Sequence, residues 1–375
     1  SSGTWVAKWR TMTIRSDRPA LPMLETPPPV APAPRTPAAP AGELAEYGTE
    51  AALLPSFHVW TLGCQMNQSD SEEMAGALLA AGCEEAPDLE SAGLIVINTC
   101  SIREAAEHKV IGRLGVLARL KEADPSLRVV LTGCSGRAVN AGSRVQRYPA
   151  VALFLRPDEE PELTARLGLG GPTTPEGLGA AGSQRVGRSI AATADRLPGT
   201  RASAVEEGRV ARSRGAKAWL PSVYGCDTTC TYCIVPFARG PERSRPFDDI
   251  VSEARALADA GYREITLLGQ NVNSYGHDLP PDPRFAGLSS ERQLGRAQDR
   301  AGRPDIAALL HAIDAIRDED GRDGIPRVRF VTSHPWDLTD RLIEAMATSD
   351  SVCEHLHLPV QSGDDEVLRR MGRQY

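Results

Sequence analysis

The 375 residues are 41% hydrophobic and 24% charged, and 42 Lys and Arg against 49 Asp and Glu give a formal charge of −7. That apolar fraction excludes a wholly disordered chain, and the length calls for two or so domains, since single cores stop growing at roughly 250–300 residues. Eight cysteines are too sparse for a secreted disulfide scaffold. No run reaches the ~18 apolar residues of a membrane span, and no signal-peptide pattern opens the chain, so a cytoplasmic protein without membrane contact is expected.

Residues 1–55 form a tail whose stretch from Pro19 to Pro40 is rich in Pro and Ala without apolar periodicity, and it is expected to be disordered. A strand follows at Phe57–Leu62, a helix over Ser69–Ala81, and a buried strand at Leu94–Ile97. A long helix over Ile102–Glu122, a strand at Val129–Leu131 and another at Ala152–Leu155 complete the first domain, 56–167. Strands and helices alternate with short loops, which predicts α/β architecture with a parallel sheet.

Residues 168–217 break the pattern and read as a linker. Between Gln184 and Lys217 eight basic residues face three acidic ones. Arg185, Arg188, Arg212 and Arg214 are candidate contacts for phosphate, and Arg239 further on is a candidate contact for the cysteine loop or for RNA. A second α/β series occupies 218–375, with strands at Trp219–Val223, Glu264–Leu268, Arg327–Thr332 and His355–Val360. Its helices are expected at Phe247–Ala260, Asp305–Arg317, Leu338–Met346 and Asp364–Met371, with a polar insertion from Leu279 to Pro304. These four βα units are expected to form a truncated barrel, unfinished at Tyr375.

The cysteines carry the chemistry. Cys226, Cys230 and Cys233 stand in a C-x3-C-x2-C loop directly after the first strand of the second series. Three thiolates can hold three corners of a cubane iron–sulfur cluster and leave one iron open, whereas structural zinc wants four closed ligands. His277 and Cys353 are the nearest candidates for a fourth ligand, and neither sits in a paired motif. Cys64, Cys100 and Cys134 are spaced 36 and 34 residues apart, each just past the end of an expected strand. One βα unit separates each pair, so adjacent parallel strands would deliver all three thiols to one sheet edge, where open α/β sheets build ligand sites. Cys83 and Cys353 lack this placement and read as structural.

Six motifs in order resemble the radical S-adenosylmethionine (SAM) methylthiotransferase family. They are Gly63-Cys64-Gln65-Met66-Asn67; Asn98-Thr99-Cys100-Ser101-Ile102-Arg103-Glu104; Gly225 to Cys233 with Arg239-Gly240 and Ser244-Arg245-Pro246; Leu268 to Gly276; Thr332-Ser333-His334-Pro335; and His357 to Gly363. After Cys134 the sequence departs, with Ser135-Gly136 where the family commonly has Met-Ala. The resemblance implies a flavodoxin-like N-terminal domain followed by a partial (βα)6-type radical SAM barrel. The family's last barrel units and its small C-terminal RNA-binding TRAM domain are not represented.

The resemblance further implies that Cys64, Cys100 and Cys134 ligate an auxiliary 4Fe–4S cluster carrying the sulfur to be transferred. Cys226, Cys230 and Cys233 would ligate the cluster that cleaves SAM to a 5′-deoxyadenosyl radical, with no catalytic residue assigned beyond these ligands. Tyr232, Gly269, Gln270, Asn271 and Gln361 would contact SAM. The flanks of the first two cysteines are most similar to the branch that methylthiolates C2 of N6-isopentenyladenosine beside the tRNA anticodon. Branches acting on threonylcarbamoyl-adenosine or on a ribosomal protein aspartate rank behind it. The implied partners are a tRNA anticodon loop, SAM and a flavodoxin-type electron donor, with the enzyme a monomer. A rival from another class is a non-catalytic iron–sulfur protein that binds RNA or senses redox state, but such clusters normally take four protein ligands.

Overall fold

The computed structural model of the chain describes residues 55–100, 104–134, 148–169, 215–288, 302–317, 321, 324–373 and 375. The Pro/Ala-rich tail, most of the expected linker with Arg185, Arg188, Arg212 and Arg214, and the centre of the 279–304 insertion lie outside these residues.

The first sheet contains β1 (Ser56–Leu62), β2 (Glu84–Glu85), β3 (Leu94–Thr99), β4 (Arg128–Gly133) and β5 (Leu153–Phe154), parallel throughout in the order β2-β1-β3-β4-β5. This is the doubly wound flavodoxin-like order, whose ligand crevice opens at the carboxyl ends of the strands where the order reverses, between β1 and β3. All six residues of β3 are buried, which explains its unbroken run of Leu, Ile and Val. Its side chains alternate between two cores. Leu94 and Val96 pack with Met74 and Leu78 of α1 (Gln65–Ala80) and with Leu163, which opens the one-turn helix α3 (Leu163–Arg166). Ile95 and Ile97 pack on the other face with Val110, Leu114 and Leu117 of α2 (Glu104–Ala123).

The second sheet is also parallel, ordered β10-β9-β6, with β6 at Lys217–Pro221, β9 at Glu264–Leu268 and β10 at Arg327–Phe330. Helices α5 (Phe247–Asp259), α6 (Ile306–Asp314) and α7 (Asp340–Thr348) lay Ile250, Leu257, Leu309, Ile313 and Leu342 on this sheet and bury Leu220, Leu267 and Phe330 completely or nearly so. The expected strand Trp219–Val223 is broken at Ser222, whose N–H and hydroxyl both donate to the Leu268 carbonyl. Beyond the break, β7 (Val223–Tyr224) pairs antiparallel with β8 (Arg243–Ser244). The cysteine loop and the short helix α4 (Val235–Arg239) run between these paired strands.

Two expectations are corrected. His355–Val360 is not a strand; the fourth unit contributes only a single parallel bridge, Val328 to Val352. Thr332 takes a left-handed φ of 69° and ends β10's edge. The His357 ring Nδ1 then accepts the Thr332 N–H at 2.9 Å, and its carbonyl accepts the Ser333 N–H, so those groups never form a ladder. Pro359 removes a further donor. His355 and His357 therefore do not share a strand face. The second correction concerns α1, which starts at Gln65 rather than Ser69, making Cys64 its N-cap residue. The final helix, α8, spans Asp365–Arg370 under an Asp364 cap.

Phe330 is 1% exposed at the centre of the second core. Phe330→Ala is expected to lower stability by about 3–5 kcal/mol, read as a shift of the urea unfolding midpoint.

Candidate functional site

Cys64, Cys100 and Cys134 follow β1, β3 and β4 directly, on three adjacent strands of one sheet edge. Buried hydrogen bonds hold this edge together. Asn67 accepts the Cys64 backbone N–H through Oδ1 at 3.3 Å and donates from Nδ2 to Asn98 Oδ1 at 2.8 Å. Asn98 donates in turn to the Asn67 carbonyl and to Ser71 Oγ, which also receives the Thr61 hydroxyl. The Cys100 N–H donates to the Leu62 carbonyl at 2.8 Å. Glycine is required beside two of the cysteines. A Cβ on Gly63 would lie 2.3 Å from Asn67 Oδ1, and one on Gly133, where φ is +85°, would lie 2.3 Å from the Thr99 carbonyl oxygen.

Cys134 and Cys100 are buried, while Cys64 is half-buried. Burial pushes the Cys134 thiol up to about 11; the Arg239 guanidinium works against this, while the neighbouring Cys100 and Cys64 add to it. Arg239 was expected to contact the cysteine loop or RNA. Instead it is buried and donates from Nη2 to Asp70 Oδ2 at 2.8 Å, with both side chains under 5% exposed. Burial disfavours the charged guanidinium, but Asp70, Cys134, Glu160 and Cys64 outweigh it and hold Arg239 firmly protonated.

The second cysteine set is built by the β7–β8 clasp. Gly225 takes φ +72° with the Pro241 carbonyl where a Cβ would stand, and the Cys226 N–H donates to the Gly240 carbonyl. The Thr228 hydroxyl lies 2.8 Å from the Cys226 sulfur and 3.7 Å from that of Cys230, so one side chain spaces two thiols. Burial raises the Cys226 thiol, and the Thr228 bond opposes it. Thr231 anchors the loop by donating its N–H to the Met371 carbonyl and its hydroxyl to that of Arg370. Tyr232 is 51% exposed, with the Arg373 guanidinium 6.0 Å from its ring centre.

Three of the other expected cofactor contacts, Gly269, Gln270 and Asn271, follow β9 directly. Gly269 is closely packed: a Cβ there would sit 3.1 Å from Val272 Cα and 3.2 Å from Val223 Cβ. Asn271 is buried and donates to Asp337 Oδ2 at 2.7 Å, while its Oδ1 and the Gln270 Oε1 are buried without a hydrogen-bond partner among the described residues. Gln361 is exposed with φ +62°. His277, weighed as a fourth metal ligand, instead pairs through Nδ1 with Glu242 Oε1 at 2.8 Å and lies 3.7 Å from Asp227. Cys83 packs in the first core as a structural residue. Sequence reasoning missed Glu160, which accepts from Thr132, and Thr228; only their place beside the cysteine-bearing segments could have signalled them.

Among the described residues no three His, Cys, Asp or Glu side chains converge on a single-ion position. A cubane puts each thiolate on a different iron, so its ligands need not share a point. All-thiol trios at strand ends, one with a hydroxyl spacer and one with a buried cation, suit an iron–sulfur cluster by donor chemistry. No helix among the described residues is long and apolar enough to cross a membrane.

Residues 56–155 match the family described as Uncharacterized protein family UPF0004, and residues 220–375 match the Radical SAM superfamily. The two matches follow one another along the chain, UPF0004 first and Radical SAM second. Curated relatives named tRNA-2-methylthio-N(6)-dimethylallyladenosine synthase are 41% identical in Carboxydothermus hydrogenoformans, over 85% of this chain and 63% of that protein. In Thermoanaerobacter sp. the figures are 38%, 85% and 59%. The chain therefore spans about 60% of the length of these relatives. Among solved structures, the radical S-adenosylmethionine methyltransferase TsrM from Kitasatospora setae, with tryptophan and a SAM analog bound, superposes with a TM-score of 0.50 at 15% identity. That match covers 85% of this chain and 63% of TsrM and speaks to the fold alone.

In metal-free protein, alkylation of Cys134 by iodoacetamide should rise about tenfold per pH unit toward pH 11, because the thiol stays protonated below its pKa of about 11. Peptide mass spectrometry checks this, and a plateau near pH 8 would contradict it.

Proposed function

We propose that the chain is the two-cluster part of an enzyme that methylthiolates C2 of N6-isopentenyladenosine next to the tRNA anticodon. The observation that carries this reading is the pairing of two three-thiol sets, one at the strand ends of each α/β half, joined through Arg239. The names of the curated relatives supply the substrate. We read the domains as 56–167 and 218–375, with 168–217 between them.

When bound, a 4Fe–4S cluster on each trio and two SAM molecules, one of them at the second trio's cluster, would supply the radical, the sulfur and its methyl group, a route suited to an adenine C–H that is neither acidic nor open to ionic attack. The chain's own residues hold and orient these groups. Cys64, Cys100 and Cys134 form the auxiliary set, and Cys226, Cys230 and Cys233 the radical set, with Thr228 spacing the first two of these. Asn271 Oδ1 and Gln270 Oε1, near the end of β9, are buried acceptors without hydrogen-bond partners among the described residues. With Gly269, Tyr232 and Gln361 they are assigned to SAM. The target base must leave its stack to reach the site, as single-stranded loops allow. Arg185, Arg188, Arg212 and Arg214 are assigned to its phosphates. The electron comes from a flavodoxin-type donor, and the protein acts in the cytoplasm as a monomer.

Nucleoside mass spectrometry of tRNA from cells lacking the gene tests this. Loss of the 2-methylthio form with accumulation of isopentenyladenosine is expected, and re-expression with Cys100→Ala or Cys230→Ala should restore none of it. Loss from the threonylcarbamoyl form instead would overturn the substrate assignment.

A further inference from the structure

Helix α4 starts two residues after Cys233 and ends at Arg239, so this arginine belongs to the second cysteine loop by sequence. Its guanidinium nonetheless sits in the first domain. It bonds Asp70 of α1 at 2.8 Å, and Cys134 after β4, Glu160 and Cys64 stand close enough for their charges to act on it. Glu160 is itself fixed by the Thr132 hydroxyl at 2.8 Å. The charged neighbours that act on Arg239 are thus carboxylates and thiols, and Asp70 fixes its guanidinium among them. Net charge and hydrogen bonds to sulfur are the levers by which a protein sets the potential of an iron–sulfur centre.

We propose that Arg239 is a positioning residue for the centre held by Cys64, Cys100 and Cys134, supplying the positive charge that raises its reduction potential while tying the second cysteine loop to it. The inference rests on the reading above that these three thiols hold a 4Fe–4S cluster. Asp70 partly cancels that charge, so the two partners pull the potential in opposite directions. A purely structural ion pair would behave otherwise, since losing either partner breaks the same link.

The test uses the full chain with Cys226, Cys230 and Cys233 replaced by Ala, loaded anaerobically with iron and sulfide. Iron content and an EPR-monitored redox titration are the readouts. Arg239→Gln should move the midpoint negative by at least about tenfold in the reduced-to-oxidised ratio at fixed potential, or 59 mV for one electron. Asp70→Asn should move it positive, and Arg239→Lys, which keeps the charge but not the fork, should recover part of the loss. Shifts of the same sign in Arg239→Gln and Asp70→Asn, or no shift in either, would overturn the proposal. If Arg239→Gln holds no iron, Asp70→Asn decides alone: a positive shift supports the proposal, and a negative or absent one overturns it. A chain with Arg239 intact that binds no iron on this trio would instead sink the two-cluster reading itself.

Discussion

A guanidinium of α4 and a carboxylate of α1, buried together, constrain much else in this molecule. Taking both ions out of water costs several kcal/mol each, which only close geometry and further hydrogen bonds offset. Arg239 and Asp70 meet that condition at 2.8 Å, with Cys134 and Glu160 completing the surroundings. Each partner has tight local support. Asp70 lies in the first turns of α1, whose start is fixed by the Asn67–Asn98 bond, and Arg239 lies on α4 inside the β7–β8 clasp. Leaving either charge unpaired costs about 3–5 kcal/mol, so the relative placement of the two cysteine sets is resistant to slippage.

The two sets are built by different means. At the first edge a doubly wound sheet delivers one thiol per strand, and side-chain amides and hydroxyls lock the strand ends in register. At the second, a single loop carries all three thiols, shaped by Gly225 and Thr228 and seated on the turn at Arg370 to Gly372. The first arrangement takes its geometry from the fold, and the second from local turns. The first places sulfur at the carboxyl ends of parallel strands, where backbone leaves the sheet and ligands can enter, and the second places it beyond an antiparallel clasp that follows β6.

Much of this was legible in the sequence because the responsible physics is short-range or strictly periodic. Leu94–Thr99 reads as a central strand from its apolar run alone, and the spacing of Cys64, Cys100 and Cys134 repeats the βα unit. The start of α1 was missed because cysteine is not a usual cap and its partner, Asn67, acts through a side chain. The burial of Arg239 was not legible, because nothing local distinguishes a buried arginine from an exposed one; its partner stands 169 positions away. His355–Val360 alternates polar and apolar residues as a strand would. The left-handed turn at Thr332, in another segment, took away the edge it would have joined.

The pairing of Val223 with Ser244 and Tyr224 with Arg243 means that residues 225–242 leave and re-enter the domain at neighbouring points. The thiol-bearing stretch is thus a loop closed at its base, seated on the turn at Arg370 to Gly372 and tied to Asp70. A change in its length would carry Arg239 away from Asp70 while α5 and the sheet beneath kept their seats.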